Sequence, residues 1–360
     1  MMDKLEDPAA STSMSAVQIG VVGLWVLALL FTLYFASSIL LPFFVALFLA
    51  IIVYPVVRWL RLIGIPEGIG AAITLFLVFA LIGAGLYGLA EPAADWINRS
   101  PQIIEELRTK TWSLRRAVED AQEAAKDVEE MTDLDGAQPD AVVRREPSLA
   151  GQIFALTWST AASTIVTLFI MYFLLALGRR TVERMFEALS SKSRQVYARD
   201  LCRRLQAQLA AYLQTLTLIN IALGTITGIV MAVLGLPNPV LWGALSGFLG
   251  YIPYLGPFLM FLVISTVSLL TFDDWARILL PMIAFALIET IEGHFTTPWI
   301  IGRRLTLNPI AVFVFILFWG SLWGVMGAIL AVPILVSLKI ICDGRPALAP
   351  VSALLGTEHG

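Results

Sequence analysis

Two glutamates, Glu289 and Glu292, lie near the middle of a strongly apolar stretch bounded by Arg277 and Arg303. A carboxylate at the depth of a bilayer is costly to bury and is usually retained to handle ions, protons or substrates. Because the two residues are three positions apart, they share one face of a helix, and His294 follows within half a turn. These residue types in this pattern predict ion or solute handling inside a membrane.

The composition agrees with a membrane setting. Of the 360 residues, 58% are hydrophobic and only 14% are charged, whereas soluble domains carry about 25% charged residues. The net charge of −3 offers no basis for a nucleic-acid partner. Cys202 and Cys342 fit no disulfide or metal spacing, and with two histidines in the chain a histidine-based zinc site is not expected. We therefore expect a lipid bilayer as partner, and neither a metal nor a cofactor.

Long uncharged stretches predict the membrane spans, since a helix needs about 20 apolar residues to cross a bilayer. We expect an all-α polytopic membrane protein with about five or six full spanning helices, the first two separated by a turn at Ser37, Ser38 and Pro42. The predicted organisation is a cytoplasmic N-terminus over 1–15, three transmembrane helices over 16–95, an extracytoplasmic helical insert over 96–148, a transmembrane helix over 149–178, basic cytoplasmic amphipathic helices over 179–208, a transport core over 209–341 and a cytoplasmic tail over 342–360.

The distribution of arginine and lysine predicts the orientation. Residues 179–208 carry eight basic residues against three acidic ones, and Arg58 and Arg61 follow the second span. These groups all lie on one side if both termini are cytoplasmic, as the positive-inside rule requires. The insert 96–148, with twelve acidic and eight basic residues, then lies outside. A helix is expected to begin there at Pro101.

An internal repeat predicts two broken helical hairpins, over 239–272 and 309–338. Asn238-Pro239 and Phe248 recur 70 residues later, and each copy leads into glycines and prolines. Paired interruptions of this kind mark the substrate site in transporters built from inverted repeats. The alternative is that these residues only allow continuous helices to pack closely. The predicted hairpin residues are Gly250, Pro253, Gly256, Pro257, Pro298, Gly320, Gly324, Gly327 and Pro333.

Several motifs together resemble the AI-2E (autoinducer-2 exporter-like) family of bacterial multi-pass membrane proteins. They are Asn220…Gly224…Thr227-Gly228, Leu234-Gly235-Leu236-Pro237, Tyr251-Ile252-Pro253-Tyr254-Leu255-Gly256-Pro257, Ile291-Glu292-Gly293, Pro298…Gly302-Arg303 and Trp323-Gly324…Gly327…Pro333. The resemblance implies a transporter in a bacterial inner membrane. It implies export of a small signalling molecule for some members, and sodium/proton or other cation antiport for others.

The candidate substrate- or ion-coupling residues are Glu292, Glu289, His294, Asn220 and Thr227. Glu292 could instead hold a broken helix end by a hydrogen bond, and Asn220 and Thr227 could join helices. We expect a secondary-active transporter that exports a small polar solute, or exchanges cations, coupled to a proton or sodium gradient. A cation/proton antiporter and a non-transporting scaffold or regulatory subunit are the alternatives, and self-association is left open. No nucleophile–base pattern or metal set suggests an enzyme, and without a P-loop motif ATP is not expected to drive transport directly.

The predicted topology can be tested with single cysteines at Ala125 and Lys192, in a background lacking Cys202 and Cys342. We expect a membrane-impermeant maleimide to label the first from outside the cell and the second only after the membrane is opened. Labelling of both from one side would contradict the orientation.

Overall fold

The protein is an all-α polytopic membrane protein. The computed structural model describes residues 16–123, 149–297, 300, 307–345 and 348–356, and six helices in these ranges are long and apolar enough to cross a membrane. The elements are α1 (Ala16–Phe35), α2 (Ser37–Leu62), α3 (Glu67–Glu123), α4 (Leu149–Glu187), α5 (Lys192–Val233), α6 (Pro239–Leu249), α7 (Leu255–Thr271), α8 (Trp275–Ile291), a π-helical turn (Glu292–Thr296), α9 (Pro309–Asp343) and α10 (Ala349–Leu355).

The first two spans meet at a single residue. Ala36 forms the turn, and Ser37 already begins α2. Pro42, expected at the turn, lies inside α2 and is buried. Spanning helices tolerate an internal proline because neighbouring helices and local adjustments satisfy the carbonyl that loses its partner.

One predicted helix start is absent, because the preceding helix continues through it. Pro101 was expected to begin a helix, but it lies inside α3, which runs from the third span into the insert as far as Glu123. A proline removes one hydrogen bond and can kink a helix without ending it. Residues 124–148 of the insert lie outside the described ranges.

We expected separate amphipathic helices over the basic segment 179–208. The structure shows instead that this segment extends the two flanking spans. α4 continues to Glu187, and after a short turn Lys192 begins α5, which runs unbroken to Val233. No glycine or proline occurs between Lys192 and Leu223 to interrupt it. At 42 residues α5 is about 63 Å long, roughly twice the hydrocarbon thickness of a bilayer, so its basic half projects beyond the membrane.

The first predicted hairpin is confirmed. α6 and α7 are separated by a turn at 250–254, which we call corner 1, and α6, corner 1 and α7 form hairpin 1. A Cβ atom on Gly256 would overlap the carbonyl oxygen of Leu249, so α7 leaves the turn in direct backbone contact with the end of α6. The alternative of one continuous helix through residues 250–260 is therefore wrong.

The second predicted hairpin is also confirmed, within α9. Its backbone breaks at Gly324, with φ +65° and ψ −148°. A Cβ atom added to Gly320 would lie 3.8 Å from the Cβ of Ala328, whereas eight residues of straight helix span about 12 Å. The chain therefore reverses at residues 320–327, which we call corner 2, and the two arms of α9 with corner 2 form hairpin 2.

Contacts of α10 show that both ends of hairpin 2 lie together. The backbone N–H of Asn308 donates to the carbonyl of Leu355 at 3.0 Å, and the hydroxyl of Ser352 donates to the carboxylate of Asp343. A helix of seven residues, about 10 Å long, thus bridges the two ends of a 35-residue helix that would extend about 52 Å if straight. Length and composition make α9 a candidate span, but its geometry makes it re-entrant.

The two hairpins enter from opposite ends of α5. Hairpin 1 begins shortly after α5 ends, at Pro239. Hairpin 2 ends beside the start of α5, where the Tyr197 hydroxyl donates to the carbonyl of Gly344 at 3.3 Å. Corner 1 and the arm entering corner 2 contribute Ile252 and Trp319 to the same buried core. This is the opposite orientation that the inverted repeat predicts.

Two of the predicted hairpin residues do not mark a break, and a third cannot be compared. Gly320 keeps helical dihedral angles at the start of corner 2, and the backbone breaks four residues later, at Gly324. Pro333 is buried inside the second arm, and the helix continues through it. Pro298 lies outside the described residues.

We expect Gly256→Ala to destabilise hairpin 1, because the added methyl group would occupy the position of the Leu249 carbonyl oxygen. Forced overpacking costs about 1–3 kcal/mol, and thermal unfolding in detergent would measure it. Gly83→Ala in α3, whose added methyl would meet open space, is the matched control and should leave the unfolding midpoint unchanged or raise it. Equal midpoints for both variants would contradict the close contact at corner 1.

Candidate functional site

Hairpin 1 is held against α5 by glycines on α5 and on α6. A Cβ on Gly224 would lie 2.6 Å from the carbonyl oxygen of Gly243, and a Cβ on Gly247 would lie 2.8 Å from that of Asn220. Pairs of small residues four positions apart allow this approach in membranes, and here Gly224 and Gly228 face Gly243 and Gly247. α6 is thereby pressed backbone to backbone along α5, which determines the depth of corner 1.

Asn220 occupies the point on α5 that faces corner 1. Its side chain is only 3% exposed, and its Oδ1 atom lies 2.5 Å from where a Cβ on Gly250 would be, so this glycine makes room for it. Its Nδ2 atom is buried and has no hydrogen-bond partner among the described residues. An unsatisfied buried donor costs about 1–3 kcal/mol. Asn220 lies mid-way along the uncharged part of α5, so it presents an unused N–H donor deep in the membrane.

Other polar groups near corner 1 are satisfied within the protein. The Tyr251 hydroxyl donates to Thr217 Oγ1 at 2.9 Å. The buried hydroxyls of Thr227 and Ser246 lie 3.4 Å apart. Thr227 was predicted as a coupling residue beside Asn220, but it lies seven residues further along α5, about two helical turns, and its hydroxyl faces Ser246 of α6. The structure therefore places Thr227 in the α5–α6 interface, not at corner 1.

The arm that enters corner 2 carries a second unused donor. The indole Nε1 of Trp319 is buried without a partner in the described chain, whereas that of Trp323 donates to the carbonyl of Leu33 at 3.1 Å. The backbone carbonyl of Trp319 lies where a Cβ on Gly327 would be. Corner 1 has the same arrangement, with Leu249 and Gly256, and Leu249 precedes Trp319 by the repeat distance of 70 residues. Each corner thus packs a glycine on a carbonyl oxygen at the end of the entering arm.

The two glutamates lie level with corner 1. α8 returns antiparallel to α7 after a short link, and Ser268 Oγ donates to the carbonyl of Ile278 at 2.7 Å. Both helices rise by the same distance per residue. Glu289 lies eleven residues after Ile278 and Pro257 lies eleven residues before Ser268, so the two are at about the same level. Both carboxyl groups are half-buried.

The surroundings of Glu289 and Glu292 differ. Glu292 begins the π-helical turn, and its carboxylate accepts a hydrogen bond from the hydroxyl of Thr297 at the end of that turn. No hydrogen bond reaches the Glu289 carboxyl from any described residue. His294 lies on the exposed side, with Nδ1 3.1 Å from the carbonyl of Thr290. π-helical turns occur frequently at functional sites.

The predicted site residues therefore form two groups. Asn220 lies at corner 1, while Glu289, Glu292 and His294 lie at the end of α8; in the described ranges no hydrogen bond connects the groups. They are joined through packing, since α8 contacts both α5 and α7. The described residues also contain no cluster of three or more histidine, cysteine, aspartate or glutamate side chains able to hold a metal ion.

The family model for AI-2E family transporters matches residues 24–344 of the chain. The chain belongs to the AI-2E transporter family. The match includes both hairpins, Asn220 and the two glutamates, and it confirms the resemblance that the glycine- and proline-rich motifs indicated. The chain is therefore a multi-pass membrane protein of a transporter family.

Named relatives cover most of the AI-2E chain. YrrI of Bacillus subtilis (strain 168), described by its name as a candidate transport protein, is 27% identical over 85% of this chain and 86% of its own length. The AI-2 transport protein TqsA of Escherichia coli (strain K12) is 26% identical over 89% of this chain and 90% of its own length. The similarity thus extends over almost the whole transporter.

Sequence reasoning missed Trp319, Ser246 and the α6 glycines. The four-residue spacing of Gly243 and Gly247, matching that of Gly224 and Gly228, was a readable signal of close helix contact. For Trp319 no sequence signal was available, because whether an indole N–H finds a partner depends on residues far away in the chain.

The unused donor of Asn220 leads to a prediction about stability. Asn220→Leu keeps a side chain of similar size and removes the unsatisfied amide, so we expect the free energy of unfolding to rise, by about 1 kcal/mol. Asn308→Leu is the matched control, because Asn308 caps α9: its Oδ1 accepts from the N–H of Ile310 at 2.9 Å. Loss of such a cap costs about 0.5–2 kcal/mol. Thermal unfolding of both variants in detergent should therefore show shifts of opposite sign, and destabilisation by Asn220→Leu would contradict the assignment.

Proposed function

We propose that this AI-2E protein is a secondary-active transporter that binds a small polar solute in the core between corner 1 and corner 2. One observation carries the proposal: two hairpins enter from opposite ends of α5, and beside each corner lies a buried N–H donor without a partner in the described chain. These donors are Asn220 Nδ2, on α5 beside corner 1, and Trp319 Nε1, on the arm that enters corner 2. A native structure satisfies most of its buried donors. A solute that accepts hydrogen bonds from both groups would remove the cost of leaving them unpaired.

The chemistry of these donors favours a solute over a cation as cargo. An amide NH₂ group and an indole N–H can only donate, so they pair with acceptor oxygens and repel a metal cation, which takes oxygen ligands. The relative TqsA is named for transport of AI-2. We propose export of a small solute bearing acceptor oxygens, and rank it above cation/proton antiport.

The opposed hairpins suggest how access could alternate. Hairpin 1 opens toward the C-terminal end of α5 and hairpin 2 toward its basic N-terminal end. Movement of either hairpin arm would open the shared core to one side only, as in transporters built from inverted repeats. By the positive-inside rule the basic end faces the cytoplasm, and we propose that both termini lie on the inner side of a bacterial inner membrane.

Glu289 and Glu292 are the proposed coupling groups. They are carboxylates at the level of corner 1, and they lie on a helix that packs against both α5 and hairpin 1. A carboxylate in this position can exchange a proton or sodium ion, which the N–H donors cannot. Because Thr297 already donates to Glu292, the Glu289 carboxyl, which accepts no hydrogen bond from the described residues, is the one free to take up the exchanged ion.

The coupling proposal is tested by flux in reconstituted vesicles. Vesicles containing the purified protein are loaded with a small panel of polar solutes, AI-2 included, and efflux is followed under imposed pH or sodium gradients. We expect Glu289→Gln and Glu292→Gln each to reduce the response of efflux to the gradient, and the double variant to abolish it. Glutamine keeps the shape and hydrogen-bonding capacity of the side chain and removes only the exchangeable charge.

Two comparisons decide the outcome. Glu91→Gln replaces an exposed glutamate on α3 and should leave gradient-driven efflux intact. Asn220→Leu should abolish solute efflux without a gradient as well as with one, because it removes the binding donor. A double glutamine variant with unchanged gradient response would exclude the pair as the coupling site. Full efflux by Asn220→Leu would exclude corner 1 as the binding site.

A further inference from the structure

A cavity of about 860 Å³ lies away from the two corners, between α2, α4, the basic half of α5 and the second arm of hairpin 2. Its deep wall is apolar and includes Phe44, Phe48, Leu175 and Leu209, which belong to the spanning parts of their helices. Its volume is in the range of sites that hold small organic ligands. The solute site proposed above does not involve this cavity.

The rim of the cavity is positively charged. It contains five arginines against three glutamates. Arg61 pairs with Glu67 at 2.7 Å and Arg179 with Glu183 at 3.5 Å. The other rim arginines are Arg58, Arg199 and Arg203, and no ion pair to a carboxylate is found for them in the described part of the chain. The third glutamate is Glu187, so five arginines against three glutamates leave the rim with a net positive charge of two, suited to an anionic group.

The order of the two surfaces matches the order of groups in a phospholipid. Arg58 lies near the C-terminal end of the α2 span, and Arg203 lies just before the uncharged part of α5 begins at Leu205. Both arginines are exposed. The apolar wall lies further along the same helices, toward the membrane interior. A molecule with a charged head and an apolar tail would contact both surfaces at once, whereas a free anion would leave the apolar wall without a partner.

We propose that this cavity binds an anionic phospholipid, with its phosphate on Arg58 and Arg203 and an acyl chain along the apolar wall. Basic pockets between transmembrane helices bind lipid head groups in this way. The bound lipid contacts Ile334 and Ser337 of the second arm of hairpin 2, so it braces that arm against α2 and α4.

Cys202 provides a native reporter for this site. It lines the cavity and is half-buried, whereas Cys342 is only 2% exposed and serves as an internal control. The full-length protein is delipidated, returned to detergent micelles containing phosphatidylglycerol or phosphatidylcholine, and treated with a maleimide. The measured quantity is the ratio of labelling rates without and with lipid, and retained lipid is counted in parallel by native mass spectrometry.

Three variants separate the contributions of charge and shape. Arg58→Gln with Arg203→Gln removes the proposed phosphate contacts, and Arg180→Gln with Arg194→Gln is the matched control, since neither of those arginines lines the cavity. Gly178→Leu fills the apolar part, because a side chain there enters open space on the cavity wall, and it leaves the arginines in place.

We expect phosphatidylglycerol to protect Cys202 in the native protein and in the control. The rim variant should bind it about tenfold more weakly, a change of about 1.4 kcal/mol, and Gly178→Leu should lose retained lipid. Equal protection by phosphatidylcholine would overturn the role of charge. Equal protection by inorganic phosphate or glycerol 3-phosphate, unaffected by Gly178→Leu, would show a small-anion site and overturn the lipid proposal. An equal loss in the Arg180/Arg194 control would also overturn it.

Discussion

Backbone placed outside a helix at membrane depth must be satisfied by protein or by a water-filled cavity, since lipid offers no hydrogen-bond partner. In this chain the close contact of glycines with carbonyl oxygens allows protein to meet that requirement. Gly256 packs on Leu249 and Gly327 on Trp319, so the helix ends at both corners are covered by neighbouring backbone. Any side chain at these glycines would separate the arms. The rest of the transport core depends on these contacts, because they determine where each hairpin reverses.

The reversals in turn explain the polar residues at the centre. Because α6 is pressed along α5 through glycines, corner 1 stops at the level of Asn220. Hairpin 2 approaches from the other end of α5, and its Trp319 joins the same core as Ile252. The antiparallel return of α8 then brings Glu289 and Glu292 to that level, with no hydrogen bond to Asn220 among the described residues. Asn220 and the two carboxylates are thus separate groups at about one depth, joined through the packing of α8 against α5 and α7.

Much of this architecture could be predicted from local patterns. The Asn-Pro pairs at Asn238 and Asn308 mark the starts of both hairpins because proline suits the first turn of a helix and asparagine the residue before it. Uncharged length predicted the spans. The errors occurred where local signals are weak: Pro101 lies inside α3, and the basic segment 179–208 continues α4 and α5. A charged composition indicates exposure to water, but it does not end a helix that has no glycine or proline to interrupt it.

The sequence by itself determined the family, the membrane setting and the unusual glutamates, and it predicted the two hairpins against the alternative of continuous helices, because each depends on residue types close together in the chain. Only the tertiary structure decided which donors remain unpaired within the described residues, that Thr227 faces Ser246, and that both ends of α9 meet at α10. Those facts depend on contacts between residues far apart in sequence. Whether a buried N–H finds an acceptor is settled by the packing of whole helices, which local periodicity does not encode.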